Sequence, residues 1–195
     1  GLLGEGSNSF GTMRAWLSSN GLGDRELREM NMSNSQNCIE VSAAEVALAA
    51  AQLLADTGAT QLDIVGHSLG GLAARYFVKN LGGAAVVRNF VSITSPQHGT
   101  LAATPATWPA CSVAQMTVTS PFIAALNAGD ETPGAGVMYT SIRGMNDVFV
   151  MPNTSPLLAG ADNVDTWLDH VQVLLQPSNF EVVRAALEGA GKNAN

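Results

Sequence analysis

The sequence predicts an α/β fold with a mostly parallel sheet and helices on both faces. Strand-like and helix-like apolar patterns alternate along the 195 residues. Between residues 61 and 93 a strand, a helix and a second strand follow one another, an order that requires a parallel crossover. Hydrophobic residues make up 46% of the chain, enough for one well-buried core, so we expect a single domain over residues 1–195.

The individual elements follow from periodicity and end signals. A Ser-x-x-Glu spacing at Ser42 and again at Ser178 predicts two helix starts, and Gly58 ends the first of these helices. Predicted helices cover residues 10–20, 42–57, 69–80, 122–126 and 178–188. Predicted strands cover 61–65, 86–93, 137–142 and 163–168, with a further short strand at 27–32 and a loop-rich stretch at 94–121.

Composition excludes several classes of function. Only 13% of the residues are charged and the net charge is -7, so there is no basic patch for a nucleic-acid backbone. The longest apolar runs are far shorter than the roughly 20 residues of a membrane-spanning helix. Two cysteines cannot build a metal cage, and we expect neither a metal nor a cofactor.

The two cysteines, Cys38 and Cys111, each lie in a polar, loop-like segment. This context favours one structural disulfide, which would indicate an oxidising compartment. Two buried free thiols are the alternative.

A nucleophile is predicted at Ser68, within the Gly-x-Ser-x-Gly pattern of Gly66, His67, Ser68, Leu69 and Gly70. The pattern alone is weak in a chain with 20 glycines, and an ordinary turn with a serine N-cap is the alternative. Here it falls between a predicted strand and a predicted helix, where a nucleophile elbow needs flanking residues without side chains. The helix N-terminus also offers backbone N–H groups to a developing oxyanion.

The base is found by elimination among three histidines. We expect His67, next to Ser68, to be a packed neighbour whose ring points away from the nucleophile. A catalytic His98 would break the chain order of nucleophile, acid and histidine that accompanies this turn. His170, in a loop before the last helix, fits that order and is the predicted base.

The acid is chosen by its position relative to the sheet. Asp147 follows directly after a predicted strand, at the edge where the nucleophile turn also lies. The alternative for Asp147 is an ordinary turn aspartate. The remaining candidates precede strands or adjoin the histidine too closely: they are Asp130, Glu131, Asp162, Asp165 and Asp169.

These residues resemble the small secreted bacterial lipases of the α/β-hydrolase superfamily, a group that includes the Bacillus subtilis lipase and larger actinobacterial relatives. The resemblance rests on residues 57–59, 62–71, 78–81, 139–142 and 150–151 together with Asp147. It implies a compact α/β-hydrolase fold, secretion, and a triad of Ser68, Asp147 and His170. It also implies oxyanion donors at the backbone amides of Leu69 and Leu2.

The resemblance further implies a triacylglycerol lipase or other carboxylic ester hydrolase that works through an acyl-enzyme. We expect a monomer acting on a small ester or lipid substrate, with transient contact to a lipid interface. Rival interpretations are a thioesterase, polyester depolymerase or acyltransferase on the same scaffold, and an inactive binding domain. The apolar residues of the 101–126 region are interpreted either as an acyl groove or as ordinary core.

The start of the chain departs from the family pattern. The family has an apolar strand ending in His-Gly at this point, whereas the present sequence opens at Gly1. We therefore expect additional residues before Gly1 that form this strand and fix the Leu2 amide.

Overall fold

A four-stranded parallel sheet forms the centre of the structure, a computed structural model that describes residues 10–23 and 25–189. The strands are β1 (Leu62–His67), β2 (Val87–Ile93), β3 (Met138–Gly144) and β4 (Asp162–Thr166), and their spatial order is their chain order. All neighbouring pairs are parallel. The carboxyl ends of the four strands therefore share one edge of the sheet.

Six helices surround this sheet in the described part of the chain. They are α1 (Gly11–Ser19), α2 (Ile39–Thr57), α3 (Leu69–Asn80), α4 (Cys111–Gln115), α5 (Pro121–Asn127) and α6 (Pro177–Glu188). Two short 3₁₀ turns lie at Gly83–Ala85 and Gln172–Leu174. None of the described helices is both long and apolar enough to cross a membrane.

Two apolar clusters cover the two faces of the sheet. The α2 and α3 side buries residues such as Ile39, Leu72 and Phe90. The α1 and α6 side buries others, including Met13 and Phe180, against β2 and β3. Because both faces are covered, β2 is buried at every position except Arg88. The predicted α/β architecture is confirmed.

The predicted disulfide is confirmed. Cys38 and Cys111 are bonded, with their Cα atoms 4.7 Å apart. The bond joins the residue before α2 to the first residue of α4. The helix α4 was not predicted, because its five residues are too short to show a periodic pattern.

The short strand predicted at 27–32 is wrong. These residues form no strand, because a β-ladder needs a partner edge and none of the four described strands pairs with them.

Both helix starts predicted from the Ser-x-x-Glu spacing are also wrong in position. The helix α2 begins at Ile39, three residues before Ser42, and Glu45 accepts hydrogen bonds from Ser33 instead. Likewise α6 begins at Pro177, ahead of Ser178, and its N-cap residue makes no side-chain cap. In both cases the chain becomes helical before the serine, so the hydroxyl is no longer at the capping position.

Candidate active site

Ser68 sits on a strained turn between β1 and α3. Its φ is 55° and its ψ is -128°, in a region that residues with a Cβ rarely adopt. The Ser68 amide donates to the carbonyl of Ile93 at the end of β2 (3.0 Å), and its carbonyl accepts from the amide of Gly71 (3.0 Å). These bonds hold the turn at the carboxyl edge of the sheet and maintain a strained backbone of the kind that clusters at functional sites.

Close packing in this turn requires glycine at positions 66 and 71. A Cβ on Gly66 would lie 2.7 Å from the Cα of Gly71, and a Cβ on Gly71 would overlap the hydroxyl of Ser95. A Cβ on Gly70 would meet only the Met32 methyl group among the described residues, at an ordinary 3.7 Å. Among the described residues the tightest approach to α3 is therefore at Gly71, because β2 and its following loop meet the helix there. The prediction that Gly70 is needed for lack of space stays a prediction.

Asp147 and His170 form a buried pair beside this edge. The Nδ1 atom of His170 lies 2.6 Å from Oδ2 of Asp147, and their side chains are only 13% and 2% exposed. The other carboxylate oxygen of Asp147 accepts the amides of Phe149 (2.7 Å) and Val150 (3.0 Å). Since a carboxylate only accepts, Nδ1 of His170 carries the proton and its Nε2 is the basic nitrogen.

The pKa of Asp147 is lowered despite burial. Burial by itself raises the pKa of this carboxyl, but the hydrogen bond and charge of His170 lower it, and so do the two backbone amides. The net pKa lies below the ordinary value of 3.8, so Asp147 is ionised at neutral pH.

His67 contacts His170 directly, a relationship that the sequence did not reveal. The two rings lie 4.6 Å apart between centroids, and Nε2 of His67 is 2.9 Å from the backbone carbonyl of His170. Burial, together with the charge of His170, lowers the pKa of His67 to about 3. His67 is thus neutral, with its proton on the nitrogen that donates to this carbonyl. The contact also brings His170 against the residue adjoining Ser68.

The other histidine and the rejected acids have different partners. His98 places one ring nitrogen 3.0 Å from the Ser155 carbonyl and the other 3.0 Å from Glu131. Asp165 forms an ion pair with Arg143, and Asp169 accepts the two backbone amides at the start of the Gln172–Leu174 turn. The structure brings neither His98 nor these carboxylates to the pair of Asp147 and His170.

The structure describes one of the two predicted oxyanion donors. Leu69 is the first residue of α3, so its amide belongs to the helix N-terminal groups that have no acceptor within the helix. Leu2 lies outside the described residues.

The apolar residues of the 101–126 region divide between the two interpretations. Val113 and Ile123 are buried in the core, and Trp108 and Phe122 pack against it. Leu101 is exposed. Most of this region is therefore core and not a groove.

A sequence profile of the palmitoyl protein thioesterase family matches residues 7–142. The chain belongs to this family. The matched segment contains Ser68 and ends before Asp147 and His170, so the family match and the buried pair are independent observations.

Three solved structures, two of them lipases, resemble the chain in fold. Lipase B of Aspergillus fumigatus has 23% identity and a TM-score of 0.76, over 92% of this chain and 49% of its own. The lin2722 gene product of Listeria innocua has 18% identity and a TM-score of 0.66, over 95% and 91%. Mature lipase BlEst2 of Bacillus licheniformis has 14% identity and a TM-score of 0.63, over 75% and 73%. The chain thus spans about half the length of the Aspergillus lipase.

Proposed function

We propose that the protein is a serine hydrolase that cleaves carboxylic esters of lipids, with Ser68 as nucleophile, His170 as base and Asp147 as acid. The observation that carries the proposal is the buried pair of Asp147 and His170, held against the strained turn of Ser68 through His67. Family membership and the fold of the lipases support the same reaction class.

The mechanism follows from these positions. The Ser68 hydroxyl attacks the ester carbonyl while Nε2 of His170 takes its proton. The Leu69 amide stabilises the oxyanion, together with the Leu2 amide that the resemblance implies. The bond from carbonyl carbon to alkoxy oxygen then breaks, and His170 gives its proton to the leaving alcohol. Water attacks the acyl-enzyme by the same route, which releases the fatty acid and restores Ser68. Asp147 holds the tautomer of His170 throughout.

Triacylglycerol is the substrate we propose first, because lipases of this fold resemble the chain over most of its length. A thioester of a fatty acid is the second candidate, because the matching family is one of palmitoyl protein thioesterases. The same mechanism serves both, with a thiolate in place of the alkoxide as leaving group. The disulfide supports secretion, and we propose a monomer formed by one domain.

The deciding experiment compares substrates and histidine variants. We expect the protein to hydrolyse p-nitrophenyl esters and emulsified triacylglycerol. The ratio of the activity on triacylglycerol to the activity on an S-palmitoyl peptide distinguishes an ester substrate from a thioester substrate. His170→Ala should lose activity almost completely, whereas the matched His98→Ala should retain most of it. Equal losses in the two variants, or a larger loss in His98→Ala, would contradict the assignment of the base.

Two rival functions need their own measurements. Formation of a new ester when an alcohol acceptor is added would indicate an acyltransferase. Failure of a serine-directed phosphonate to label Ser68 would indicate an inactive binding domain.

A further inference from the structure

One hydroxyl outside the proposed triad binds the loop that carries Asp147. Thr100, in the loop after β2, is buried, and its hydroxyl donates to the carbonyl of Phe149 (2.7 Å). The same oxygen accepts the amides of Met151 (3.0 Å) and Ala102 (3.2 Å). The bond from Ala102 is a local turn, but Phe149 and Met151 lie 49 and 51 residues further along the chain. Since a hydroxyl has one hydrogen and two lone pairs, the Thr100 hydroxyl is fully used here.

Asp147 binds the same turn through different groups. Its Oδ1 accepts the amides of Phe149 and Val150, whereas the Thr100 hydroxyl takes the carbonyl of Phe149. The two amides fix the position of Oδ1, and Oδ2 then lies 2.6 Å from Nδ1 of His170. A shift of the turn would therefore change the length or the angle of the bond between the proposed acid and the proposed base.

Thr100 is itself held in place. Its amide donates to the carbonyl of Met116 (2.7 Å), a residue of the core cluster on the α2 and α3 side. The amide of the neighbouring Leu101 donates to the carbonyl of Met151 (2.7 Å), which adds a second bond between the two loops. The support of the turn therefore extends back to the core of the protein.

We infer that Thr100 is a positioning residue for the proposed acid. Its hydroxyl fixes the turn of residues 149–151, and the turn fixes the carboxylate of Asp147 towards His170. The inference rests on the proposed function, because it assigns Thr100 a role in that reaction. The alternative is an ordinary loop anchor, whose removal lowers the stability of the fold and leaves the chemistry unchanged.

Two substitutions at Thr100 separate the hydroxyl from the shape of the side chain. Thr100→Val keeps the shape but leaves one carbonyl without a donor and two amides without an acceptor. We expect its kcat on dissolved p-nitrophenyl acetate to fall about tenfold with KM little changed, because the acid acts on the chemical step and not on binding. Thr100→Ser keeps the hydroxyl and should stay within about threefold of the wild-type kcat.

Ser120→Ala is the matched control. Ser120 is 6% exposed, as Thr100 is, and its hydroxyl also donates to a carbonyl and accepts an amide, those of Gln115 and Ile123. It caps α5 and bonds neither Asp147 nor His170, so its loss should lower stability and leave kcat unchanged. Rates are expressed per site labelled by a serine-directed phosphonate, so that an unfolded fraction does not count.

A spectroscopic measurement reports the bond from His170 to Asp147 without any turnover. In the Ser68→Ala protein, the short bond to a carboxylate moves the ¹H NMR resonance of the Nδ1 proton of His170 downfield. We expect Thr100→Ser on this background to leave the resonance in place. Thr100→Val should move it upfield or lose it to exchange with water. If Thr100→Val does not fold, Thr100→Ala, which admits water beside the three groups, takes its place in both measurements.

Several outcomes would overturn the inference. An unshifted resonance in Thr100→Val would do so, whatever its kcat. So would equal losses of kcat in Thr100→Val and Thr100→Ser, or in Thr100→Val and Ser120→Ala. If the wild type hydrolyses no ester, the proposed function fails, and the resonance still decides whether Thr100 positions Asp147. If the wild type hydrolyses esters and Thr100→Val matches it in kcat and resonance, only the inference about Thr100 fails.

Discussion

The side chain of His67 donates a hydrogen bond to the backbone carbonyl of His170, across 103 residues of sequence. This bond joins the turn of the proposed nucleophile directly to the loop of the proposed base. Because burial and the charge of His170 lower the pKa of His67 to about 3, the ring is neutral over the pH range of ordinary enzyme activity, and its single proton lies on the nitrogen that donates to this carbonyl. We therefore expect His67 to act as a positioning residue for His170.

Replacing His67 tests this positioning. His67→Leu leaves the His170 carbonyl without its donor, and we expect kcat on a dissolved ester to fall about tenfold or more with KM little changed. His67→Gln keeps an N–H donor and should recover part of the loss. The measurement is steady-state kinetics on both variants. Full kcat in His67→Leu would show that the His170 loop needs no such support.

Two substitutions at Ser68 separate chemistry from backbone strain. Ser68→Ala and Ser68→Gly should both lose about a million-fold in kcat, because the nucleophile is gone. Glycine accepts a φ of 55° without the Cβ penalty, so Ser68→Gly should be more stable than Ser68→Ala by about 1 kcal/mol. Urea unfolding of the two variants gives the difference. Equal stability would mean that the turn is not strained.

The two glycines after Ser68 should respond very differently to alanine. Gly71→Ala places a Cβ on the Ser95 hydroxyl and against its Cβ, so we expect a loss of about 2 kcal/mol in unfolding free energy, or failure to fold. In the described part of the chain, Gly70→Ala meets only the methyl group of Met32, so it should be tolerated or slightly stabilising, since alanine favours the helix. Thermal unfolding of Gly70→Ala, and of Gly71→Ala if it folds, decides this. A lower stability of Gly70→Ala than of Gly71→Ala would mean that Gly70 is the position where a side chain does not fit.

The difference between these glycines shows what local sequence can predict. Periodicity located β1, α3 and β2, and the rule that parallel strands share a carboxyl edge was enough to select Asp147 from six carboxylates. The approach of Ser95 to Gly71 and the bond from His67 to His170 depend on residues far apart in the chain, so no local pattern signals them. The strand predicted at 27–32 failed for a related reason, because an apolar pattern carries no information about a pairing partner.

Removing the disulfide should cost stability and spare activity. The bond between Cys38 and Cys111 spans 73 residues, and on the chain-entropy model it stabilises the fold by about 4 kcal/mol. Cys38→Ser/Cys111→Ser should unfold at lower urea and retain kcat under native conditions, because neither residue touches the candidate site. A reducing agent should destabilise the wild type and leave this variant unchanged. Two free thiols in denatured, unreduced protein would contradict the bond.

Asp147→Asn should impair catalysis strongly. The amide can hold His170 in the wrong tautomer, so we expect kcat to fall about ten-thousand-fold with the fold retained. Steady-state kinetics on a dissolved ester gives the value. Near-normal kcat would transfer the acid role to another carboxylate.

The same variant should also change how stability depends on pH. Because the pKa of Asp147 is lower in the folded protein than its ordinary value of 3.8, its ionised form stabilises the fold. That contribution is fully present above the ordinary pKa and is lost as the pH falls through the lower, folded value. The unfolding free energies of wild type and Asp147→Asn should therefore differ near neutral pH and converge in acid, as measured by urea unfolding over a pH series. A difference that persists unchanged to the lowest pH would mean that ionised Asp147 does not supply the stabilisation.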